Sequence, residues 1–134
     1  MSARYHFDGH FPHPICGTFL GDGRRFILSE AFTFLQPGQE PIVVPQGFIT
    51  DFNSVPRGLW NWFPPWEYLE AGIVHDYLYW LGKNTRQEAD EVHRLIVGLK
   101  GANILKRRVI YLGLRVGGQG SWDDYRRMQE DDGA

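Results

Sequence analysis

The spacing of apolar and polar positions divides the chain into an irregular start, a strand-rich segment and a helical half. Over residues 25–35 and 41–50, aromatic and β-branched residues alternate at short range with polar ones, which suits strands. Gln36-Pro37-Gly38-Gln39 lies between the two runs, and a Pro-Gly step favours a tight turn, so a β-hairpin is expected. Further on, the period becomes helical. One helix is predicted over about 66–81, closed by Gly82 as its C′ residue. A second opens with a capping box, Thr85 with Glu88, and runs to about Leu99 with Ala89, Val92, Ile96 and Leu99 as its apolar stripe. A third is predicted over about 103–115, carrying Leu105, Val109 and Leu112 on one side and ending at Gly117-Gly118. The fold class is therefore α+β: a small antiparallel β-hairpin or sheet followed by three α-helices, the first two an antiparallel pair.

Length and charge narrow this further. A chain of 134 residues fits one domain with a real core: an irregular arm over 1–23, a hairpin and polar loop over 24–57, three helices over 66–116, and a tail over 117–134. Glu130, Asp131 and Asp132 make that tail acidic, and it is expected to be disordered. Cys16 is the only cysteine, which excludes an internal disulfide and a multi-cysteine zinc site. A net charge of −2 gives no electrostatic case for nucleic acid, and Lys106, Arg107 and Arg108 read as a solvated helix face. No apolar run is long enough to span a membrane and no signal-peptide pattern opens the chain, so it is expected to be soluble and not exported by itself. His10 and His13 lack the second pair of ligands that zinc requires. Trp60, Trp62 and Trp66 cluster beside Pro64 and Pro65, and suit either a corner of the core or an exposed surface for a partner.

The chemistry concentrates in Ile73-Val74-His75-Asp76-Tyr77-Leu78-Tyr79. A histidine and a carboxylate in so apolar a run need compensation, because an unpaired buried charge is costly. The short link between the first two helices brings position 90 within about one 5.4 Å turn of His75, and Tyr79 lies one turn along the same face. His75 with Asp90 makes a candidate general-base pair, the carboxylate fixing the tautomer. Asp76, about 100° around the helix, is available as an oxygen ligand for a hard cation. Thr50, Asp51 and Ser54 form a polar knot closed by Pro56; such side chains cap turns, and also offer oxygens to a cation or substrate. Ser54, His75 and Asp90 formally permit a serine triad, although no G-x-S-x-G elbow surrounds Ser54. The plainer alternative is a buried hydrogen-bond network tying the helical pair to the knot. His93, three residues after Asp90, is a further candidate ligand or a packed histidine.

Three ordered motifs carry a resemblance. V-P-Q-G-F-I-T-D-F-N-S-V-P-R (44–57), A-G-I-V-H-D-Y-L-Y (71–79) and R-Q-E-A-D (86–90) resemble a small family of unassigned function encoded largely by tailed bacteriophages and prophages, over about residues 24–120. Asn53 and His93 depart from its pattern, where a small residue and an aromatic one are expected. The His-Asp-x-x-Tyr helix is also similar to that of secreted phospholipases A2. That resemblance implies that His75 activates a water, Asp76 binds Ca2+, and Tyr79 and Asp90 orient His75. The cysteine framework and glycine-rich calcium loop of those enzymes are absent from this sequence.

Two functions follow as expectations. One is a phage-encoded hydrolase of an ester or amide in the host envelope. The other is a non-enzymatic virion or assembly protein, present in the host cytoplasm during infection and incorporated into the particle. Its expected partners are other virion proteins or further copies of itself, docked through the tryptophan-rich segment.

Overall fold

Phe26, Leu28, Phe32, Phe34 and Val44 are buried while Ile27, Thr33 and Val43 between them are not, the period-two pattern of strands with one covered face. The computed structural model describes residues 9–22, 24–52, 54–61 and 67–133. The chain forms two compact units, Met1–Asp51 and Phe52–Ala134.

The first unit is built on the expected hairpin. Strand β3 (Phe32–Phe34) pairs antiparallel with β4 (Ile42–Val44) across the turn at 36–39. Farther from the turn, β2 (Phe26–Leu28) pairs with β5 (Ile49–Thr50). The register is unchanged on both sides of the interruption at Ser29 and Glu30: six residues forward on one arm, Phe26 to Phe32, match six back on the other, Thr50 to Val44. The two small sheets are thus one bent hairpin. A further strand, β1 (Gly17–Phe19), lies on the outer side of β2 within the segment expected to be irregular. Its pattern gives no signal, since all three residues are exposed. A Cβ at Gly17 would run into the Phe26 ring and the Ile27 carbonyl, so only glycine lets β1 approach so closely. Phe11 stacks on Phe32 and Phe34 at 5.7 and 5.1 Å between centroids, closing this small core. His10 is drawn into the same packing, its Nδ1 3.4 Å from the Leu35 carbonyl.

The second unit is helical. After a 3-10 turn (Arg57–Asn61) come α1 (Leu69–Leu81), α2 (Arg86–Leu99), α3 (Ile104–Gly117) and α4 (Gln119–Gly133). Gly82 caps α1 with φ 64°, the left-handed conformation that favours glycine. Thr85 and Glu88 form the full capping box of α2, and the Asn103 side chain caps α3 by accepting from the Lys106 amide. α1 and α2 are the antiparallel pair; α3 packs on α2, and α4 on α1 and α3. The expected α1 start near residue 66 lies among residues outside those described, and the helix proper begins at Leu69.

Two expectations change. The tail is a fourth helix, although its many acids and Gly120 make it a poor one by propensity alone. Tertiary contacts secure it: Trp122 meets the Tyr79 ring edge-on at 5.3 Å, and Arg126 donates to the carbonyls of Tyr79 and Trp80 at the end of α1. The apolar stripe of α3 also faces the other way. Ile110 and Leu114 enter the core, whereas Leu105 and Leu112 are largely exposed. Gly113 and Gly117 admit Leu59 and Pro56 closely against the helix, so small residues and Ile110/Leu114 make the inner face.

Candidate functional site

α1 carries His75, Asp76 and Tyr79 into the interior on a helix that is apolar on most sides, and α2 brings Asp90 and His93 against it. All five side chains are buried, as is Ser54. The Nε2 of His75 lies 2.7 Å from Asp90 Oδ1, and its Nδ1 lies 3.0 Å from Ser54 Oγ. A carboxylate only accepts, so Nε2 carries the hydrogen donated to Asp90, and Nδ1 shares a hydrogen bond with the Ser54 hydroxyl, which donates to a neutral ring and accepts from a charged one. The Tyr79 hydroxyl donates to the same Oδ1 at 2.7 Å. Arg115 of α3 donates to Asp90 Oδ2 at 2.8 Å, and Arg86 to the same oxygen at 3.3 Å. Arg86 also reaches the carbonyls of Leu114 and Arg115, binding α2 to the end of α3.

The electrostatics follow from this crowding. Burial acts first on Asp90 and would raise its pKa. The hydrogen bond and charge of His75, with the donors Tyr79 and Arg115, outweigh burial and hold it below the usual carboxylate range. Burial, and then the Asp90 carboxylate, push the Tyr79 hydroxyl well up, so it remains a donor. The His93 ring packs edge-on against His75 at 5.0 Å; burial and then the charge of His75 drive its pKa well below 6.5, and it is neutral at neutral pH. Gly118 completes the enclosure, since a Cβ there would strike Tyr79 Oη and the Leu114 carbonyl.

The expected residues divide into three groups. His75, Tyr79, Asp90 and Ser54 meet in one network. Asp76 faces elsewhere, its Oδ1 accepting from Tyr125 of α4 at 3.0 Å. Among the described residues no group of three or more His, Cys, Asp or Glu side chains stands ready to hold a metal. Calcium takes six to eight oxygens, and a single enclosed carboxylate already serving a tyrosine does not supply them, so no step here runs through calcium. Thr50 and Asp51 end the first unit, Thr50 buried in β5 opposite Phe26, while Ser54 belongs to the second. Trp60 is half-buried, donating from Nε1 to the Val55 carbonyl at 3.1 Å beneath the Arg57 guanidinium. Trp62 and Trp66 lie outside the described residues, as does Asn53.

Arg86, Arg115 and Tyr125 are members of this polar system that sequence reasoning missed. Arg86 had a readable signal, being four residues before Asp90 on one helix face. Arg115 and Tyr125 had none, because tertiary packing alone brings them in.

A protein-family model described as a protein of unknown function, DUF1353, matches residues 26–114. No curated protein and no solved structure matches the chain significantly. The match covers well over half of the chain, which therefore belongs to the DUF1353 family.

Proposed function

We propose that this member of the DUF1353 family is a non-enzymatic component of a bacteriophage particle or of its assembly, with Ser54, His75 and Asp90 as its internal brace. One observation carries the reading: His75 is 0% exposed, and both ring nitrogens are bonded within the protein. Asp90 is equally enclosed, its two oxygens accepting from His75, Tyr79, Arg86 and Arg115. A catalytic base needs a nitrogen within reach of the proton that it removes. Here that nitrogen holds Ser54, and the network has the completeness of a structural one. The phage assignment rests on the three ordered motifs at 44–57, 71–79 and 86–90. The proposed place of action is the host cytoplasm during infection, with the finished chain carried in the particle. Mass spectrometry of purified particles tests this directly. The expected result is the chain at a fixed copy number in washed particles; its absence from them, with the free protein a monomer, overturns the reading.

A second reading is supported by the order of the bonds. Ser54 Oγ, the His75 ring and Asp90 stand in the sequence nucleophile, base, orienting acid, at 3.0 and 2.7 Å. In this reading Ser54 attacks an ester or amide carbonyl of the host envelope, and His75 Nδ1 takes the hydroxyl proton and gives it to the leaving alcohol or amine. A water activated by the same Nδ1 then releases the acyl group from Ser54 as the acid, returning the proton to Ser54 Oγ. It requires substrate to reach an Oγ on a fully buried residue. Ester hydrolysis by the purified chain, lost in folded Ser54→Ala and His75→Ala, establishes it; activity unchanged by both substitutions removes it.

A further inference from the structure

The outer face of α3 is the least expected surface of the second unit. Leu105, Val109, Leu112 and Val116 follow one another at spacings of four, three and four, which keeps them on one side of a helix. Leu105 is 72% exposed, Leu112 61% and Val116 86%, with Val109 half-buried between them and Ile104 at the helix start 61% exposed. Isolated exposed leucines are ordinary, but a continuous strip of them marks an interaction surface.

Charge and area identify what covers it. α3 carries Lys106, Arg107, Arg108 and Arg115 and no acidic residue at all. Arg115 is spent on Asp90, and Lys106 pairs with Glu67 at 2.6 Å. Arg108 is exposed at the border of the strip. On the other border Leu59, from the 3-10 turn, packs against Gly113. The strip is therefore apolar at its centre and cationic at its Arg108 edge, on a helix that carries no acid. A second copy fits poorly, because pairing α3 with α3 would set these cations against each other. The area is also small: about 18 Å of helix, roughly 10 Å wide, against the roughly 800 Å² that each side of a stable protein interface buries. Two heptads are likewise too short for a coiled coil of their own. An anionic lipid surface requires no matching shape, takes up leucine and valine at the acyl boundary, and attracts the flanking arginine.

We infer that α3 is a membrane-surface helix, laying Leu105, Leu112 and Val116 into the interface of an anionic bilayer while Arg108 contacts its headgroups. It lies on the bilayer and does not cross it: no described helix is long and apolar enough to span one. The inference stands whether or not the buried network is catalytic.

Flotation of the full chain with vesicles tests it. The protein should rise with equal-part phosphatidylcholine and phosphatidylglycerol vesicles at low salt, and much less with phosphatidylcholine alone or at high salt. Replacing Leu105, Leu112 and Val116 together by serine should lower the partition coefficient by about tenfold or more, with an unchanged melting curve. Arg108→Glu, which alters no apolar contact, should weaken binding to the anionic vesicles specifically and guards against a folding defect in the triple variant. Failure of the wild type to float, or flotation of both variants like the wild type, overturns the inference. A concentration-dependent dimer that the serine variant dissolves, without vesicle binding, also overturns it and makes a second copy the occupant.

Discussion

α1 and α3 treat polarity in opposite ways. α1 hides an imidazole and a carboxylate in a helix that is otherwise almost wholly apolar, and α3 leaves leucine and valine in solvent above a row of cations. Each departs from the rule that apolar residues go inside, and the reasons differ. In α1 the buried polar groups are compensated by bonds to α2, α3, α4 and Ser54, so the departure is resolved within the unit. In α3 no described contact resolves it, and the occupant we infer for that face, an anionic lipid surface, lies outside the chain. A buried departure from the pattern thus points to internal architecture, and an exposed one to an interaction.

The comparison can be broken most strongly on α3 itself. Leu114→Ala should cost about 2–5 kcal/mol of unfolding free energy because it empties a core site, while Leu112→Ala, two residues earlier, should change it by less than about 0.5 kcal/mol. Urea denaturation of the two variants checks this, and equal losses would mean that Leu112 is buried after all. On the α1 side, Gly118→Ala should cost about 1–3 kcal/mol by forcing Tyr79 and the Leu114 carbonyl apart.

Acid sharpens the same contrast. The folded pKa of His93 is depressed by burial and by His75, so below 6.5 the unfolded chain binds a proton there that the folded chain does not. Stability should fall with pH through that window by about 1.4 kcal/mol per pH unit, a slope that His93→Phe should remove. The depressed Asp90 contributes stability that persists to lower pH and is lost only as pH drops below 3.8 through its folded value. Unfolding midpoints measured across this range for wild type and variant decide the point. Ser54→Ala should cost about 1 kcal/mol, for one hydrogen bond, in the same denaturation measurement.

Much of this was legible in the sequence wherever the cause is local. Gly82, the Thr85–Glu88 box and Asn103 mark helix ends through their own neighbours, and the structure places those ends within a residue or two of the expected positions. The turn at 36–39 fixed the hairpin register in the same way. The nearness of Asp90 to His75 along the helix axis was readable because a short link sets two helices antiparallel; that the two side chains face each other was not, since spacing leaves the rotation of the helices open. β1 and α4 were not readable, since three exposed residues and an acidic helix owe their structure to what they pack on. For α3, periodicity gave the stripe but not its direction: the period shows which residues share a face, and only packing decides whether that face turns inward.

Bonds from α1, α2 and α3 converge on Asp90, and the unfolding free energy of Asp90→Asn measures how far they hold the second unit together. The substitution removes the charge that His75, Arg86 and Arg115 share, and presents an amide donor to groups that are themselves donors. Asp90→Asn should lose about 3 kcal/mol. A variant as stable as the wild type, or more stable, would contradict it and mark the cluster as an active site whose polar groups are held at a cost to the fold.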